Sequence, residues 1–401
     1  MKKNSIKYLL SENLYLITGL LTTGTILQTF LLEMGINEKT ISYFEAIMLL
    51  VQSASIFLFS GYIEKRADIK GLYICSNLFK NVLIIPMLVY CFYRGISILN
   101  AFVIICAVAL LSQISYGIQT VASYKYPYHV IDMKNYGSLL AASGILGHIC
   151  AAAFSYMIML LNEKLGFFNS MRYILIFGLL LAGASALTVA STKVINEYET
   201  NEKSCTELSI FRYKPFYILL VPNLLRGLFS GVISVAAIIG YYNKALDSES
   251  AIVLVVIIEI ASIIGTFIYS RICRKNIDGK IILIFSVLTS FSLIFISTSS
   301  KYVFIVSFLI AKVVSSVIDI AIPVAVTKIV DYSHIGRYTA LRMLTHTVGT
   351  ALGSALIINV IELFGRVFAV FFTGLCILIC GVAYYLYFKN TNNIISNYER
   401  S

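Results

Sequence analysis

Charged residues are scarce in this sequence, and their scarcity limits what the protein can be. Asp, Glu, Lys and Arg make up 13% of the 401 residues, whereas 59% are hydrophobic and the mean hydropathy is +0.86. An average soluble domain is about 25% charged and about 45–50% apolar. The apolar surplus is larger than one buried core can hold, which excludes an ordinary soluble domain and indicates a surface in contact with lipid.

The sequence also lacks the motifs that most enzyme and metal-site classes require. It has no phosphate-binding loop of the form Gly-x-x-x-x-Gly-Lys-Ser/Thr, so we do not expect this chain to hydrolyse ATP. The four His show no zinc-ligand spacing, the eight Cys form no Cys-x-x-Cys pair, and no Ser-His-Asp order is recognisable. We therefore predict no enzyme activity, no metal site and no cofactor.

The apolar residues form runs that are long enough to cross a bilayer, since a spanning helix needs about 20 of them. We predict twelve such spans in an all-α integral membrane protein. The first run continues too far, without a small-residue cleavage site, to be a signal peptide. The predicted spans begin near Asn13, Thr40, Leu72, Ile98, Tyr136, Tyr173, Phe216, Ala251, Ile281, Tyr302, Tyr338 and Val367.

A polar segment divides these runs six and six. Residues 192–214 are rich in Glu, Asn, Ser and Thr, and Pro215 begins the seventh run, where a missing N–H costs little. We predict an N-terminal six-helix bundle at 1–191, a cytoplasmic central loop at 192–214 and a C-terminal six-helix bundle at 215–401.

Lys and Arg are distributed unevenly between alternate loops. With the N-terminus inside, twenty lie in the inner segments and seven in the outer ones. Because positively charged loops face the cytoplasm, the sequence predicts a multi-pass protein of the cytoplasmic membrane with both termini inside. The net charge of +11 is spread over many inner loops, so topology explains it and nucleic acid is not an expected partner.

The two halves of the chain resemble each other. Residues 36–40 and 60–68 flank span two, and residues 246–250 and 270–278 flank span eight, 210 positions later in each case. Pro127 and Pro323 each precede an Asp and then another span. Weak symmetry between two halves is typical of a large class of transporters.

Together with this repeat, one loop resembles a motif of the major facilitator superfamily. That family has a Gly-x-x-x-Asp-Arg-x-Gly-Arg-type pattern between spans two and three. The counterpart here runs from Gly61 to Gly71, with the acid one place early and the second glycine absent from its usual place. The resemblance implies an MFS-like fold of two pseudo-symmetric six-helix bundles around a central cavity that opens to each side of the membrane in turn. We expect inter-loop ion pairs that gate this opening on the cytoplasmic side, and the gating candidates are Gly61, Glu64, Arg66, Asp68, Asp132 and Asp331.

Polar side chains recur every three or four residues along four of the spans, so they lie on one face of each helix. These are spans one, four, seven and ten, which line the central cavity in the superfamily. A single Ser or Thr in a span is more often a packing residue, because small hydroxyls bond neighbouring helices. The candidates for substrate binding are Arg226, Lys312, Asn223, Gln113, Tyr116 and Gln28.

Six charged residues lie deep in predicted spans, where an ionisable group is costly and usually functional. Three are cationic and three acidic, so structural ion pairs that only neutralise one another are an equally good explanation. Lys80 lies on span three, which faces lipid in the superfamily, so this helix must be rotated inward or the assigned register is wrong. As functional groups, the cations would bind an anion (Arg226, Lys312, Lys80), and the acids would carry a coupling proton (Glu259, Asp319, Glu45).

Arg226 is the sharpest of these candidates. It lies about eleven residues inside span seven, near mid-membrane at a rise of about 1.5 Å per residue, and the neighbouring Pro222 and Gly227 predict a bent helix. Its guanidinium fork matches a carboxylate or a phosphate. The structural alternative is a permanent ion pair with Glu259 on the next span.

We therefore expect a secondary active transporter that moves a small anionic or zwitterionic solute by alternating access, coupled to protons, and that works as a monomer in the lipid bilayer. One alternative is a multidrug efflux antiporter, although span five lacks the Pro of the drug-antiporter motif. A different class is a membrane-embedded enzyme or a lipid-moving protein. Its polar residues would cluster at one face of the membrane rather than at mid-depth.

Overall fold

The computed structural model describes residues 2–64, 68–93, 95–131, 136–194, 214–272, 279–327 and 335–398. Within these ranges the regular structure is helical. The helices are α1 (Lys2–Thr22), α2 (Thr25–Glu33), α3 (Glu38–Glu64), α4 (Ile69–Lys80), α5 (Ile84–Phe92), α6 (Ile98–Val130), α7 (Tyr136–Leu165), α8 (Phe167–Ala190), α9 (Lys214–Ser234), α10 (Ala236–Tyr242), α11 (Ser248–Ile272), α12 (Gly279–Phe291), α13 (Lys301–Thr327), α14 (Ile335–Phe364) and α15 (Arg366–Tyr398).

The helices agree with the predicted number of spans. Eleven in the described part of the chain are long and apolar enough to cross a membrane, and a twelfth is obtained when the bent pair α9 and α10 is counted as one. The predicted boundary between spans four and five is confirmed, because Pro127 lies inside the end of α6 and α7 begins at Tyr136. The helix of span six begins at Phe167, one and a half turns before the predicted start near Tyr173.

The chain forms two compact units. Unit 1 comprises Met1–Ser204 with Asp247–Glu259, and unit 2 comprises Cys205–Leu246 with Ile260–Ser401. The predicted central loop falls mostly on residues 195–213, which lie outside the described ranges, so the predicted domain limits stay a prediction. The structure assigns the first half of α11 to unit 1, a feature that the sequence division does not contain.

Each unit is built on the same pattern of helix contacts. In unit 1, α1 packs against α7 and α8, and α6 packs against α3 and α4. In unit 2, α9 packs against α14 and α15, and α12 packs against α13 and α15. The first span of each unit is broken, and the third contains a 3-10 turn, at Asn81–Leu83 in unit 1 and at Leu293–Ile296 in unit 2. This internal correspondence agrees with the repeat in the sequence.

The break in span seven lies away from the position that the sequence predicts. α9 continues through Pro222 and Gly227 to Ser234, and the chain turns by 55° only at Val235, before α10. Pro222 lies in the third turn of α9, where it removes one backbone hydrogen bond while the helix continues. Gly227 therefore has a different role from the one assigned to it.

That role is close packing between α9 and α14. A methyl group added at Gly227 would lie 2.2 Å from the carbonyl oxygen of His346, and one at Gly349 would lie 2.2 Å from that of Leu224. Gly231 and Gly353 make equally close approaches. Small residues four apart let two membrane helices approach backbone to backbone. The two Gly-x-x-x-Gly segments thus fix the position of the helix that carries Arg226.

Candidate solute-binding and proton-coupling site

An ion pair joins two helices of unit 2. Nη2 of Arg226, on α9, donates a hydrogen bond to Oδ1 of Asp319, on α13, at 2.5 Å. The Arg226 side chain is 7% exposed, whereas 41% of the Asp319 side chain is exposed. A guanidinium stays charged at any accessible pH, so Asp319 supplies the compensating charge that lets Arg226 stay buried.

Asp319 uses only part of the guanidinium. Within the described chain, Nε and Nη1 of Arg226 are buried and have no hydrogen-bond partner. A guanidinium has five N–H donors in a fixed fork, and a buried donor without a partner is costly. Arg226 therefore retains the capacity to bind a further acceptor group.

Asn223 lies one turn before Arg226 on the same helix. Its Nδ2 donates to the carbonyl oxygen of Arg342 and to Oγ1 of Thr345, the latter at 2.8 Å. Its Oδ1 is buried and has no partner among the described residues. A free acceptor and two free donors thus lie on one face of α9.

The structure corrects the proposed pairing of Arg226 with Glu259. Arg226 pairs with Asp319, while Oε2 of Glu259 lies 2.6 Å from Nδ1 of His148 within unit 1. The sequence gives the order of the spans but not which side chains of different spans meet. His148 of α7 is thus a hydrogen-bonded partner of Glu259 of α11.

Lys312 and Asp319 lie seven residues apart on α13. No described contact joins them as an ion pair, although the charge of Lys312 acts on Asp319. Arg226 is the group that bonds Asp319 directly. His346 lies in the same region, with Nε2 3.2 Å from Oγ of Ser230.

A second buried cation lies in unit 1. Lys80 is 3% exposed, and its Nζ lies 3.8 Å from the ring centroid of Tyr15 and 4.2 Å from that of Tyr116. Gly19 leaves room for it, since a methyl group there would lie 3.2 Å from Nζ. No carboxylate of the described residues lies within ion-pair distance of Lys80. The faces of two tyrosine rings therefore stabilise this cation.

Glu12, an acid whose charge acts on Lys80, is hydrogen-bonded to another residue. Oε1 of Glu12 accepts a hydrogen bond of 2.6 Å from the hydroxyl of Tyr73. The Tyr73 ring stacks on that of Tyr126, with centroids 4.8 Å apart and planes 8° apart. Glu12 acts on Lys80 electrostatically and does not form a direct pair with it.

The environment of Lys80 resolves the uncertainty about span three. Asn77 donates to Oγ of Ser185 at 2.9 Å, and Asn81 donates to the carbonyl oxygen of Asn77 at 2.8 Å. Ser112 donates to the carbonyl oxygen of Lys80. Both asparagines and the lysine are buried, so this part of span three is rotated into unit 1.

The remaining binding candidates lie in the interior of unit 1. Nε2 of Gln28 donates to Oε1 of Glu45 at 3.3 Å, and both side chains are buried. Gln113 is buried against the sulfur of Met48, 3.9 Å from its Nε2. Tyr116 is half buried beside Lys80. The structure thus separates the candidates into the Arg226 group of unit 2 and these residues of unit 1, and their roles stay predictions.

The gating candidates are only partly within the described ranges. Arg66, Asp132 and Asp331 lie outside them, and Gly61 and Glu64 belong to the last turn of α3. Asp68 caps α4, because its Oδ1 accepts a 2.9 Å hydrogen bond from the backbone N–H of Gly71. The predicted inter-loop ion pairs stay a prediction.

Sequence reasoning missed Glu12, Tyr15 and Tyr73. The predicted first span begins near Asn13 and leaves Glu12 outside it, whereas α1 begins at Lys2. The spacing of Glu12, Tyr15 and Gly19 places all three on one face of the helix, and that signal was available. The two Gly-x-x-x-Gly segments of α9 and α14 were also recognisable.

Solved structures with the same fold are known. A crystal structure of a D-xylose-proton symporter superposes with a TM-score of 0.75 and 11% identity, covering 96% of this chain and 97% of that chain. The nucleoside transporter NupG superposes with TM-scores of 0.69 as a mutant and 0.64 without mutation, at 14% and 16% identity. These cover 96% and 97% of this chain and 99% and 100% of the other. No protein-family model and no curated protein matches the sequence.

These likenesses establish the fold. The chain has the all-α, multi-pass membrane fold of these solved transporter structures, as the sequence predicts. The coverage of nearly the whole chain in all three superpositions shows that both units belong to this architecture.

Proposed function

We propose that the protein is a secondary transporter that moves a small carboxylate-bearing solute together with a proton. The Arg226–Asp319 ion pair carries this proposal. It joins a buried permanent cation with free donors to an acid that is partly exposed. The fold is that of two solved transporters, one of which is described as a proton symporter.

The chemistry of the pair links the proton to the solute. While Asp319 is ionised, it occupies Nη2 of Arg226 and balances its charge. A proton on the Asp319 carboxyl removes that balance and releases Nη2, which completes a two-pronged fork with Nε or Nη1. A carboxylate can then bind Arg226 in a bidentate manner.

Neither ligand binds well alone under this scheme. A proton without a solute leaves Arg226 buried without a counter-charge, and a solute without a proton places two carboxylates beside one cation. The two therefore bind with positive coupling, which is reciprocal by thermodynamic necessity. A conformational cycle that exposes the pair to one side of the membrane and then to the other would carry both across.

A neutral sugar or nucleoside is the second candidate. The similar solved structures favour it, because they are described as a D-xylose symporter and a nucleoside transporter. Under this alternative Arg226 and Asp319 remain paired throughout, and the solute binds amide and hydroxyl groups.

Ligand-induced stabilisation of the purified chain distinguishes these candidates. We expect carboxylates to raise the unfolding temperature, since a ligand at 100 times its Kd stabilises by about 2.7 kcal/mol. Arg226→Gln should abolish this stabilisation, and Arg226→Lys should retain part of it. Lys80→Met, which removes the buried cation of unit 1, is the matched control and should respond like the wild type. Stabilisation by sugars, nucleosides or cationic dyes that survives Arg226→Gln would overturn the proposal.

Proton coupling needs a separate measurement. In proteoliposomes that contain a pH-sensitive dye, adding the best-binding carboxylate outside should acidify the lumen. Asp319→Asn should still bind the solute, because it resembles the protonated acid, but it should not couple solute uptake to proton movement. Unchanged proton uptake by Asp319→Asn would remove Asp319 from the coupling role.

A further inference from the structure

We infer that the solute is an α-amino or α-hydroxy acid, which Asn223 and Arg226 recognise together. This inference rests on the proposed function and specifies its solute. It comes from three buried atoms without partners in the described chain, namely Oδ1 of Asn223 and Nε and Nη1 of Arg226. They offer one acceptor and two donors within one turn of α9.

The orientation of the Asn223 amide is fixed by its neighbours. Nδ2 faces the carbonyl oxygen of Arg342, which can only accept a hydrogen bond. It also faces Oγ1 of Thr345, whose own proton is directed to carbonyl oxygens of α14. Exchanging the oxygen and nitrogen of the amide would oppose two acceptors, so the free atom of Asn223 is its oxygen.

The solute must therefore present acceptors and a donor side by side. A carboxylate supplies the acceptors for the Arg226 fork. An ammonium or hydroxyl group on the adjacent carbon supplies the donor for Oδ1 of Asn223, since side chains three apart on a helix are neighbours. A simple alkanoate has no such donor and would leave the Asn223 oxygen buried and unpaired.

The position of the site agrees with an enclosed ligand group. Asn223 is 1% exposed and Arg226 is 5% exposed, so solvent does not compete for their free atoms. Asp319, which bonds Arg226, is only partly buried. A site built to bond a donor discriminates strongly against an analogue that lacks it.

The test compares matched ligands on the full-length wild-type chain. Thermal stabilisation measures the affinity of four related compounds at each chain length from three to six carbons. These are the alkanoate and its 2-hydroxy, 2-amino and 2-methoxy derivatives. We expect the 2-hydroxy or 2-amino compound to bind at least about tenfold more tightly than the alkanoate. The 2-methoxy compound keeps the added size but lacks the donor, and it should bind no better than the alkanoate.

The outcomes separate this inference from the function on which it rests. Arg226-dependent binding of all four compounds with equal affinity would refute the inference, with Asn223 satisfied by water, and leave carboxylate transport in place. Binding of none of them, with stabilisation by a neutral solute, would refute both. Thr347→Val should keep the discrimination, because this hydroxyl of α14 donates to the carbonyl oxygen of Met343, and Asn223→Leu should lose it.

Discussion

Each unit of the protein buries a cation, and different groups stabilise the buried charge in the two units. Lys80 of unit 1 lies between two tyrosine rings, without an ionic partner among the described residues. Arg226 of unit 2 is bonded to a partly exposed acid and keeps two free donors. Ring faces are permanent, whereas a carboxylate can be neutralised by a proton. The comparison indicates a fixed structural cation in unit 1 and an exchangeable site in unit 2.

Tyr15, whose ring faces Lys80, and Arg226 lie at related positions of the repeated scaffold. The first span meets the fifth at Asn13 and Gly147 in unit 1, and the seventh meets the eleventh at Leu224 and Gly349 in unit 2. Asn13 and Leu224 are 211 positions apart, as are Tyr15 and Arg226. The helix position that carries a ring facing Lys80 in one unit thus carries the cation itself in the other.

The largest effect should come from Asp319→Ala. It leaves Arg226 buried with a charge that the guanidinium cannot lose, and breaking a buried pair in this way costs about 3–5 kcal/mol. The partial exposure of Asp319 places the effect at the lower end of this range. Added carboxylate should restore part of the lost stability. Glu163→Ala removes an exposed acid of α7 and is the control, which should change the free energy of unfolding little.

These stabilities are measurable although the sequence contains no tryptophan. A fluorogenic maleimide reports unfolding through buried thiols, which are Cys91 in unit 1 and Cys376 and Cys380 in unit 2. An Asp319→Ala protein that unfolds at the wild-type temperature would show that unit 2 does not depend on the pair.

The next effect concerns the paired helix crossings. Gly349→Ala should destabilise the protein by about 3 kcal/mol through overpacking, because the new methyl group would lie 2.2 Å from the backbone oxygen of Leu224. Gly147→Ala should cost less, since it meets the movable Asn13 side chain at 2.9 Å. Gly183→Ala has no atom within 4 Å and serves as the control. Equal losses at Gly349 and Gly147 would contradict the difference between the crossings.

A smaller effect is expected from Tyr73→Phe. The change keeps the ring that stacks on Tyr126 but removes the hydroxyl that donates to Glu12. Loss of a hydrogen bond to a carboxylate should cost about 1.5–3 kcal/mol, here at the lower end because Glu12 is only half buried. Tyr302→Phe, at an exposed tyrosine, is the comparison variant. If both variants unfold at the same temperature, the Glu12 contact does not stabilise unit 1.

The smallest effect should come from Lys80→Met. An apolar side chain of similar length fills the space between the two rings and removes the cost of a buried charge, so stability should change by less than about 1 kcal/mol. Solute-induced stabilisation should also be unchanged. If Lys80→Met abolishes it, Lys80 belongs to the solute site and the contrast between the two cations fails.

The fold was predictable because the bilayer imposes it. Lipid requires long apolar helices, and these are visible as runs of hydropathy, while the repeat relates the two halves. The identity of Arg226 as a central residue was predictable for the same reason, since a charge in a span is conspicuous.

The partners of these residues were not predictable. Arg226 and Asp319 are on spans seven and ten, and their contact depends on the rotation of both helices, which hydropathy alone does not specify. Pro222 and Gly227 together predict a bend, but the small size of Gly227 instead lets α9 pack closely against α14. Glu12 was overlooked because the hydropathy of its surroundings is low, although its helix is continuous.

The neutrality of the Arg226–Asp319 pair has an electrical consequence. Under the proposed exchange, a proton and a monoanionic hydroxy acid cross together without net charge, and a proton with a zwitterionic amino acid carries one positive charge. Moving one charge across 100 mV is worth about 2.3 kcal/mol. The membrane voltage and the pH gradient would then both drive amino acid accumulation, whereas the pH gradient alone would drive that of hydroxy acids. A single ion pair would thus give two classes of solute different driving forces.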